Sequence, residues 1–171
     1  TSPSRDAERK LIRETIARLR SEGFADSNVC VVLRTNEEVD EYADWLKASG
    51  ETVRRLDKST PDDQDKPGLR VATMHRVKGL EFDAVFITGL EESLFPHENS
   101  LNEHDGIEEE RRLMYVAITR ARKRLYMSFS QTRSVHGQTR YHTKSRFFDE
   151  LPEEHLKWLT PKTQGFGSGH V

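Results

Sequence analysis

The sequence contains a single cysteine, Cys30, which excludes a disulfide within its 171 residues. Because Cys30 lies inside an apolar run, we expect a buried core residue in a chain that works in the reducing cytoplasm. The seven histidines form no cluster with the spacing of metal ligands, so we expect no metal site. No apolar run approaches the length that crosses a bilayer, and we expect no membrane contact.

The sequence also has no phosphate-binding P-loop of the form G-x-x-x-x-G-K-[ST]. Lys78-Gly79 has the two residues in the wrong order, and Gly23 and Gly50 lack the rest of the pattern. A chain without this loop cannot bind and hydrolyse ATP by that route alone.

A strong net charge is absent too. The formal charge is −2 at pH 7, which argues against a uniformly basic nucleic-acid binder. Residues 111–144 are nevertheless rich in arginine and lysine, whereas residues 62–65 and 98–110 are acidic. Any nucleic-acid site must therefore be local.

The chain is long enough for one domain with a real core, and its 34% hydrophobic and 33% charged residues predict a heavily charged surface. We expect a single domain at residues 1–160 and a disordered tail at residues 161–171.

Helical and extended patterns alternate along the chain. Residues 29–33 form a continuous apolar run, which is typical of a strand buried on both faces. A helical pattern precedes this run at residues 11–19, a second follows at 37–49, and a last helix is predicted at 147–158. Alternating helices and strands predict a mostly parallel sheet with helices on both faces.

Residues 57–68 separate this first unit from the rest of the chain. They hold two prolines, several aspartates and lysines, and almost nothing apolar. This composition predicts a solvent-exposed, mobile connector.

Residues 71–89 contain two β-prone runs joined by a polar loop at residues 73–81. Gly79 is the loop's one glycine, and it allows a positive φ or a close approach to a ligand. Polar side chains between two core strands are typical of functional loops in α/β proteins. An ordinary charged connection is an equally good interpretation on spacing alone.

Residues 107–125 predict a helix with carboxylates in its first turn and cations near its end, an order that suits the helix dipole. We expect Arg120, Arg122, Lys123 and Arg124 near this end, and a last strand at residues 124–129. Arg120 lies at the edge of the apolar stripe, where it must either pair with a carboxylate or face an anion.

Two of these stretches resemble motifs of a known family. Residues 73–82, Thr-Met-His-Arg-Val-Lys-Gly-Leu-Glu-Phe, resemble motif V of the UvrD/Rep/PcrA-like superfamily 1 DNA helicases, and residues 108–121 resemble their motif VI. The runs at 89–97 and 145–151 fit the same family in order and spacing. The resemblance extends from Val29 to Leu151.

The resemblance implies a RecA-like, three-layer α/β/α fold, the second motor domain of a helicase, without a P-loop of its own. It makes Arg120 the catalytic arginine finger for the γ-phosphate of ATP. It places Gly79 and Glu81 at the nucleotide, with Glu81 accepting a hydrogen bond from the ribose. Mg²⁺ would be held by the missing P-loop domain.

On the other face, the resemblance implies that Arg34, Asn36, Thr73 and His75 hold single-stranded DNA or the tail of a 3′-tailed duplex. The implied partner is the N-terminal P-loop motor domain of the same polypeptide, with which this domain forms an ATP-dependent 3′–5′ DNA helicase. The isolated domain is expected to be inactive.

Two alternatives stay open. The same module occurs in helicase-nucleases of the RecB/AddA kind, and a nuclease domain elsewhere in the polypeptide would identify that case. A non-catalytic nucleic-acid-binding module is the other. The family commonly carries a large inserted subdomain where this chain has only residues 57–68.

Overall fold

Five parallel strands form the central sheet. The computed structural model describes residues 5–59, 61–92, 94–130, 132–135, 138–141 and 143–159. The strands are β1 (Val29–Leu33), β2 (Val53–Arg55), β3 (Leu69–Thr73), β4 (Phe82–Ile87) and β5 (Ala121–Met127), in the spatial order β2-β3-β1-β4-β5. All four pairings are parallel, as predicted.

Helices cover both faces of this sheet. The helices are α1 (Arg5–Ser21), α2 (Asn36–Ala48) and α3 (Gly106–Ile118). One face packs against α1 and α2 through residues such as Ile16 and Leu46, and the opposite face packs against α3 through Met114 and Ala117. The predicted three-layer α/β/α arrangement of a RecA-like fold is therefore confirmed.

Local sequence explains the central elements. Every residue of β1 is buried, which a strand between two helical layers requires and a continuous apolar run provides. The α2 helix begins where the Thr35 hydroxyl accepts a hydrogen bond from the Glu38 amide at 3.2 Å, a capping contact that satisfies an otherwise unpaired donor.

The α3 helix ends earlier than its charge pattern predicts. It stops at Ile118, and residues 121–127 pair with β4 instead of continuing the helix. The ring of Tyr126 stacks on Phe86 with centroids 4.8 Å apart, a contact that only the strand can make. The prediction that Arg122 and Lys123 lie near the end of the helix is therefore wrong, since both belong to β5. The strand predicted from Arg124 is confirmed, although it begins three residues earlier, at Ala121.

The helix predicted at residues 147–158 is also wrong. The chain forms two 3₁₀ turns, Arg146–Glu150 and Glu153–His155. Pro152 lies between them, and proline disfavours a helical residue before it. Before these turns, β6 (Thr132–Val135) and β7 (Gln138–Tyr141) form a separate antiparallel hairpin.

The connector at residues 57–68 is organised around Arg70. The Arg70 side chain is fully buried, and its Nε donates to Asp62 Oδ1 at 3.1 Å. Its other nitrogens donate to three backbone carbonyls of the connector at 2.6–2.8 Å, those of Asp63, Lys66 and Gly68. Most connector side chains are exposed as predicted. Three backbone carbonyls of the connector are nevertheless hydrogen-bonded to a buried guanidinium, and the predicted mobility stays a prediction.

The predicted division into a domain at 1–160 and a disordered tail at 161–171 stays a prediction. Residues 160–171 lie outside the described part of the chain.

Candidate functional site

The predicted site residues separate into two groups at opposite ends of the strands. We call the end where Leu33 and Thr73 lie the carboxyl edge, and the end where Phe82 and Ala121 lie the amino edge. The register pairs Leu33 with Thr73 and Phe82 with Ala121. Residues 74–81 run between the two edges on the α3 face.

Arg34, Asn36, Thr73 and His75 lie at the carboxyl edge, whereas Gly79, Glu81 and Arg120 lie at the amino edge. Each group is assembled from separate chain segments. The amide of Phe82, the residue after Glu81, donates a hydrogen bond to the Arg120 carbonyl at 3.0 Å, and this bond holds Arg120 next to the start of β4. The Met74 amide donates a hydrogen bond to the Leu33 carbonyl at 2.9 Å. This bond places Arg34, the residue after Leu33, beside the loop that follows Thr73.

Arg120 lies in the turn between α3 and β5 and has no salt bridge to any carboxylate among the described residues. Its Nη1 donates to the Leu80 carbonyl and its Nη2 to the Thr119 hydroxyl, both at 3.3 Å. Its Nε is buried without a hydrogen-bond partner in that same part of the chain. The sequence left two interpretations of Arg120 open, and the structure shows no carboxylate partner among the described residues. A guanidinium with an unsatisfied donor favours the second interpretation, in which Arg120 faces an anion.

Gly79 and Glu81 are both exposed at the amino edge. Gly79 has φ +83°, in the left-handed region that favours glycine, and no heavy atom lies within 4 Å of where a Cβ would be. Its role in the fold is therefore conformational rather than steric. The Glu81 carboxylate lies 4.0 Å from Arg122, which is held more closely by Asp83 at 3.0 Å.

At the carboxyl edge, Arg34 is paired with a buried carboxylate, Glu110 of α3. Arg34 Nε lies 3.0 and 3.1 Å from the two Glu110 oxygens, and Nη2 lies 2.9 Å from Oε2. The side chain of Glu110 is only 2% exposed, and it also accepts a hydrogen bond from the His97 amide at 2.7 Å. A buried charge is tolerated when it is paired and hydrogen-bonded in this way.

Glu110 was not identified from the sequence, where the carboxylates of α3 were assigned to the helix dipole. A signal was present: Glu110 shares the buried face of α3 with Met114 and Ala117, at helical spacing. A carboxylate on a buried face is rare unless it has a partner.

The remaining carboxyl-edge residues are also held by neighbours. The Thr73 hydroxyl accepts from the Arg76 amide at 3.1 Å, and Asn36 Oδ1 accepts from Arg55 at 3.2 Å. Burial and then the nearby positive charge of Arg34 lower the pKa of His75 below the ordinary value of histidine.

The loop between the two edges is anchored to the connector. Arg76 Nε donates to the Asp57 carbonyl at 2.6 Å. Because Arg70 holds the connector and Arg76 holds the loop, the position of residues 74–81 depends on both arginines.

Neither edge shows a metal centre. Within the described residues, no group of three or more histidine, cysteine, aspartate or glutamate side chains could hold a metal ion. Over the same residues, no helix is long and apolar enough to cross a membrane.

Residues 51–132 match the family model of the UvrD-like helicase C-terminal domain. This range includes the loop at 73–81, all of α3 and Arg120. It excludes Arg34 and Asn36, which precede it.

Curated relatives extend the match. The ATP-dependent DNA helicase PcrA of Bacillus subtilis is 42% identical over 112 residues, which are 66% of this chain and 15% of that protein. DNA helicase II of Escherichia coli is 50% identical over 86 residues, which are 50% of this chain and 12% of that protein. The chain thus spans only a small part of the length of these relatives.

A solved structure supports the fold. The C-terminal domain of a possible DNA helicase from Lactobacillus plantarum superposes with a TM-score of 0.65 at 20% identity, covering 90% of this chain and 78% of that one. The motifs, the matched residues and this architecture agree. The chain belongs to the UvrD-like helicase C-terminal domain family of the PcrA, Rep and UvrD helicases.

Proposed function

We propose that this chain is the C-terminal motor domain of an ATP-dependent 3′–5′ DNA helicase. In this proposal the amino edge completes an ATP site with the P-loop domain of the same polypeptide, and the carboxyl edge contacts single-stranded DNA. The observation that carries the proposal is Arg120, a half-buried arginine with no carboxylate partner in the described residues, beside Gly79 and Glu81.

Arg120 is the proposed arginine finger. Hydrolysis of ATP builds negative charge on the transferring phosphoryl group, and a guanidinium aimed at that charge lowers the barrier. Bound Mg²⁺ would neutralise phosphate charge, and it would be held by the P-loop domain. The guanidinium of Arg120 suits an anion, because its Nε has no hydrogen-bond partner among the described residues and its two other hydrogen bonds are long, at 3.3 Å.

Gly79 and Glu81 are the proposed nucleotide contacts. The exposed backbone at Gly79 has open space where a side chain would be, which permits close approach of a ligand. The exposed Glu81 carboxylate is only loosely associated with Arg122, so it is available to accept a hydrogen bond from a ribose hydroxyl.

At the carboxyl edge, Arg34, Asn36, Thr73 and His75 are the proposed contacts to the DNA backbone. Among the described residues, Glu110 contacts Nε and Nη2 of Arg34, and Nη1 is the proposed donor to a phosphate oxygen. Glu110 thus acts as a positioning residue that fixes the direction of the guanidinium. Contacts of this kind are independent of base sequence and sensitive to salt.

Residues 74–81 are the proposed coupling element, because they run from the carboxyl edge to the amino edge. Closure of the two motor domains around ATP would shift this loop together with the DNA contacts, and opening after hydrolysis would reverse the shift. A 3′-tailed duplex is the proposed substrate.

The test is DNA-stimulated ATPase activity of the polypeptide that joins this domain to its P-loop domain. Arg120→Ala is expected to lower kcat by about 10³-fold or more. Arg112→Ala is the matched control, since Arg112 is an exposed arginine of the same α3 helix. Equal activity of the Arg120→Ala variant and the wild type would remove Arg120 from the mechanism.

A further inference from the structure

The connector at residues 57–68 begins at the carboxyl edge, beside the residues proposed to contact DNA. β2, β3 and β1 are parallel neighbours in that order, so their carboxyl ends lie side by side, about 5 Å from one strand to the next. Arg34 follows β1, His75 follows β3, and Lys58 follows β2. Each of the three strands is thus followed by a basic side chain at the same edge.

Hydrogen bonds fix the backbone on both sides of Lys58. Arg76 Nε donates to the Asp57 carbonyl at 2.6 Å, which ties the residue before Lys58 to the residue after His75. The Asp57 carboxylate accepts from the Ser59 amide at 2.9 Å and from the Ser59 hydroxyl at 2.8 Å, a contact that closes a tight turn. Lys58 is therefore held in the middle of a turn that lies against the loop of His75.

The charge of Lys58 is not neutralised by a neighbour. Its side chain is exposed, and it forms no salt bridge with a carboxylate in the part of the chain that the structure describes. Burial lowers the pKa of His75, and the positive charges of Arg34 and Lys58 lower it further. Lys58 is thus close enough to act electrostatically on the proposed DNA contacts, and its ammonium group is free to pair with an anion.

We propose that Lys58 is a further contact to the phosphate backbone of single-stranded DNA, and that the DNA path crosses the ends of β1, β3 and β2 in that order. A lysine ammonium is a compact point charge that suits a phosphate without reading the base. The contact rests on the proposed function, since it extends the same DNA site. It comes from the connector, outside the stretches that resemble motifs V and VI.

The salt dependence of DNA affinity tests this contact in the polypeptide that contains both motor domains. The probe is a labelled oligothymidylate, whose dissociation constant is measured by fluorescence anisotropy over a range of salt concentrations. Lys58→Gln is expected to weaken binding about fivefold near about 0.1 M salt, and to reduce the slope of log affinity against log salt by about 0.7, because one phosphate contact is lost. Lys58→Arg should keep the wild-type slope.

Lys66→Gln is the matched control. Lys66 is an exposed lysine of the same connector, but it lies shortly before the amino end of β3, away from the carboxyl edge. This variant should bind DNA with the affinity and slope of the wild type. Chemical denaturation of Lys58→Gln should also match the wild type, because the replaced side chain is exposed and forms no ion pair with the described residues.

The outcomes separate this contact from the function on which it rests. If Arg34→Ala reduces the salt slope and Lys58→Gln does not, Lys58 is no contact and the DNA site stands without it. If neither variant changes the slope, the carboxyl edge does not bind DNA, and both proposals fall. Equal losses in Lys58→Gln and Lys66→Gln would indicate a general effect of net charge and would also overturn the contact.

Discussion

The arginines at the two ends of the sheet's strands have opposite hydrogen-bond surroundings. At the carboxyl edge, Arg34 is held by the buried carboxylate of Glu110 at 2.9–3.1 Å. At the amino edge, Arg120 has two hydrogen bonds of 3.3 Å and no carboxylate among the described residues. Removing one partner of the buried Arg34–Glu110 pair is expected to destabilise the fold, whereas a guanidinium without a carboxylate keeps its donors for a ligand. The following predictions test this contrast, beginning with the largest effect on stability.

Glu110→Ala is expected to lower the free energy of unfolding by about 3 kcal/mol, because it leaves Arg34 and the His97 amide without their buried partner. Chemical denaturation measures this change. Glu109→Ala is the matched control, since Glu109 is exposed on the same helix, and its effect should stay within about 0.5 kcal/mol. Equal effects of the two substitutions would show that the Arg34–Glu110 pair does not stabilise the fold.

Gly79→Ala is expected to lower the free energy of unfolding by about 1 kcal/mol, since its φ of +83° is unfavourable for a residue with a Cβ. No atom lies close enough to add a clash. Gly79→Asn should cost less, because asparagine tolerates the left-handed region better. Chemical denaturation of both variants measures these changes in the free energy of unfolding. A loss well above about 1 kcal/mol for Gly79→Ala would contradict the open space at this position.

Arg120→Ala should change the free energy of unfolding by no more than about 0.5 kcal/mol, because its hydrogen bonds are long and no ion pair is lost. Arg112→Ala serves again as the exposed control. A loss comparable to that of Glu110→Ala would mean that Arg120 is a structural residue, and the contrast between the edges would fail.

His75 should make the smallest contribution, and it should appear as a dependence of stability on pH. Because the folded protein lowers the pKa of His75, the unfolded chain binds more protons as the pH falls below the ordinary value of histidine. His75 therefore favours folding above that pH, and this contribution is lost as the pH falls through the folded pKa. Denaturation at pH values from neutral to acidic should show a shallower slope for His75→Gln, and identical slopes would contradict the shift.

Much of the fold follows from local patterns. The apolar run at 29–33 and the alternation of helices and strands predict the parallel sheet, because burial on both faces leaves a clear signature. The strand predicted from Arg124 is confirmed, but its start at Ala121 is not predicted, since pairing of residues 121–127 with β4 overrides the local charge pattern of residues 121–123. Strand pairing is a tertiary effect that composition does not encode.

The functional edges were predictable only in part. The motifs supplied Arg120 and His75, but the partner of Arg34 lies 76 residues away and became visible only when the fold brought α3 to β1. The same holds for Arg70, whose polar partners are mainly backbone carbonyls of the connector. Backbone acceptors are present at every position, so sequence alone cannot single them out.

The most direct test of the two-edge account compares Arg120→Ala with Arg34→Ala in the polypeptide that contains both motor domains. ATPase activity is titrated with single-stranded DNA, which gives kcat and the DNA concentration for half-maximal stimulation. The account predicts that Arg120→Ala lowers kcat and leaves that concentration unchanged, whereas Arg34→Ala raises the concentration and leaves kcat at saturating DNA unchanged. If both variants lowered kcat and neither changed the DNA concentration for half-maximal stimulation, the assignment of separate roles to the two edges would be contradicted.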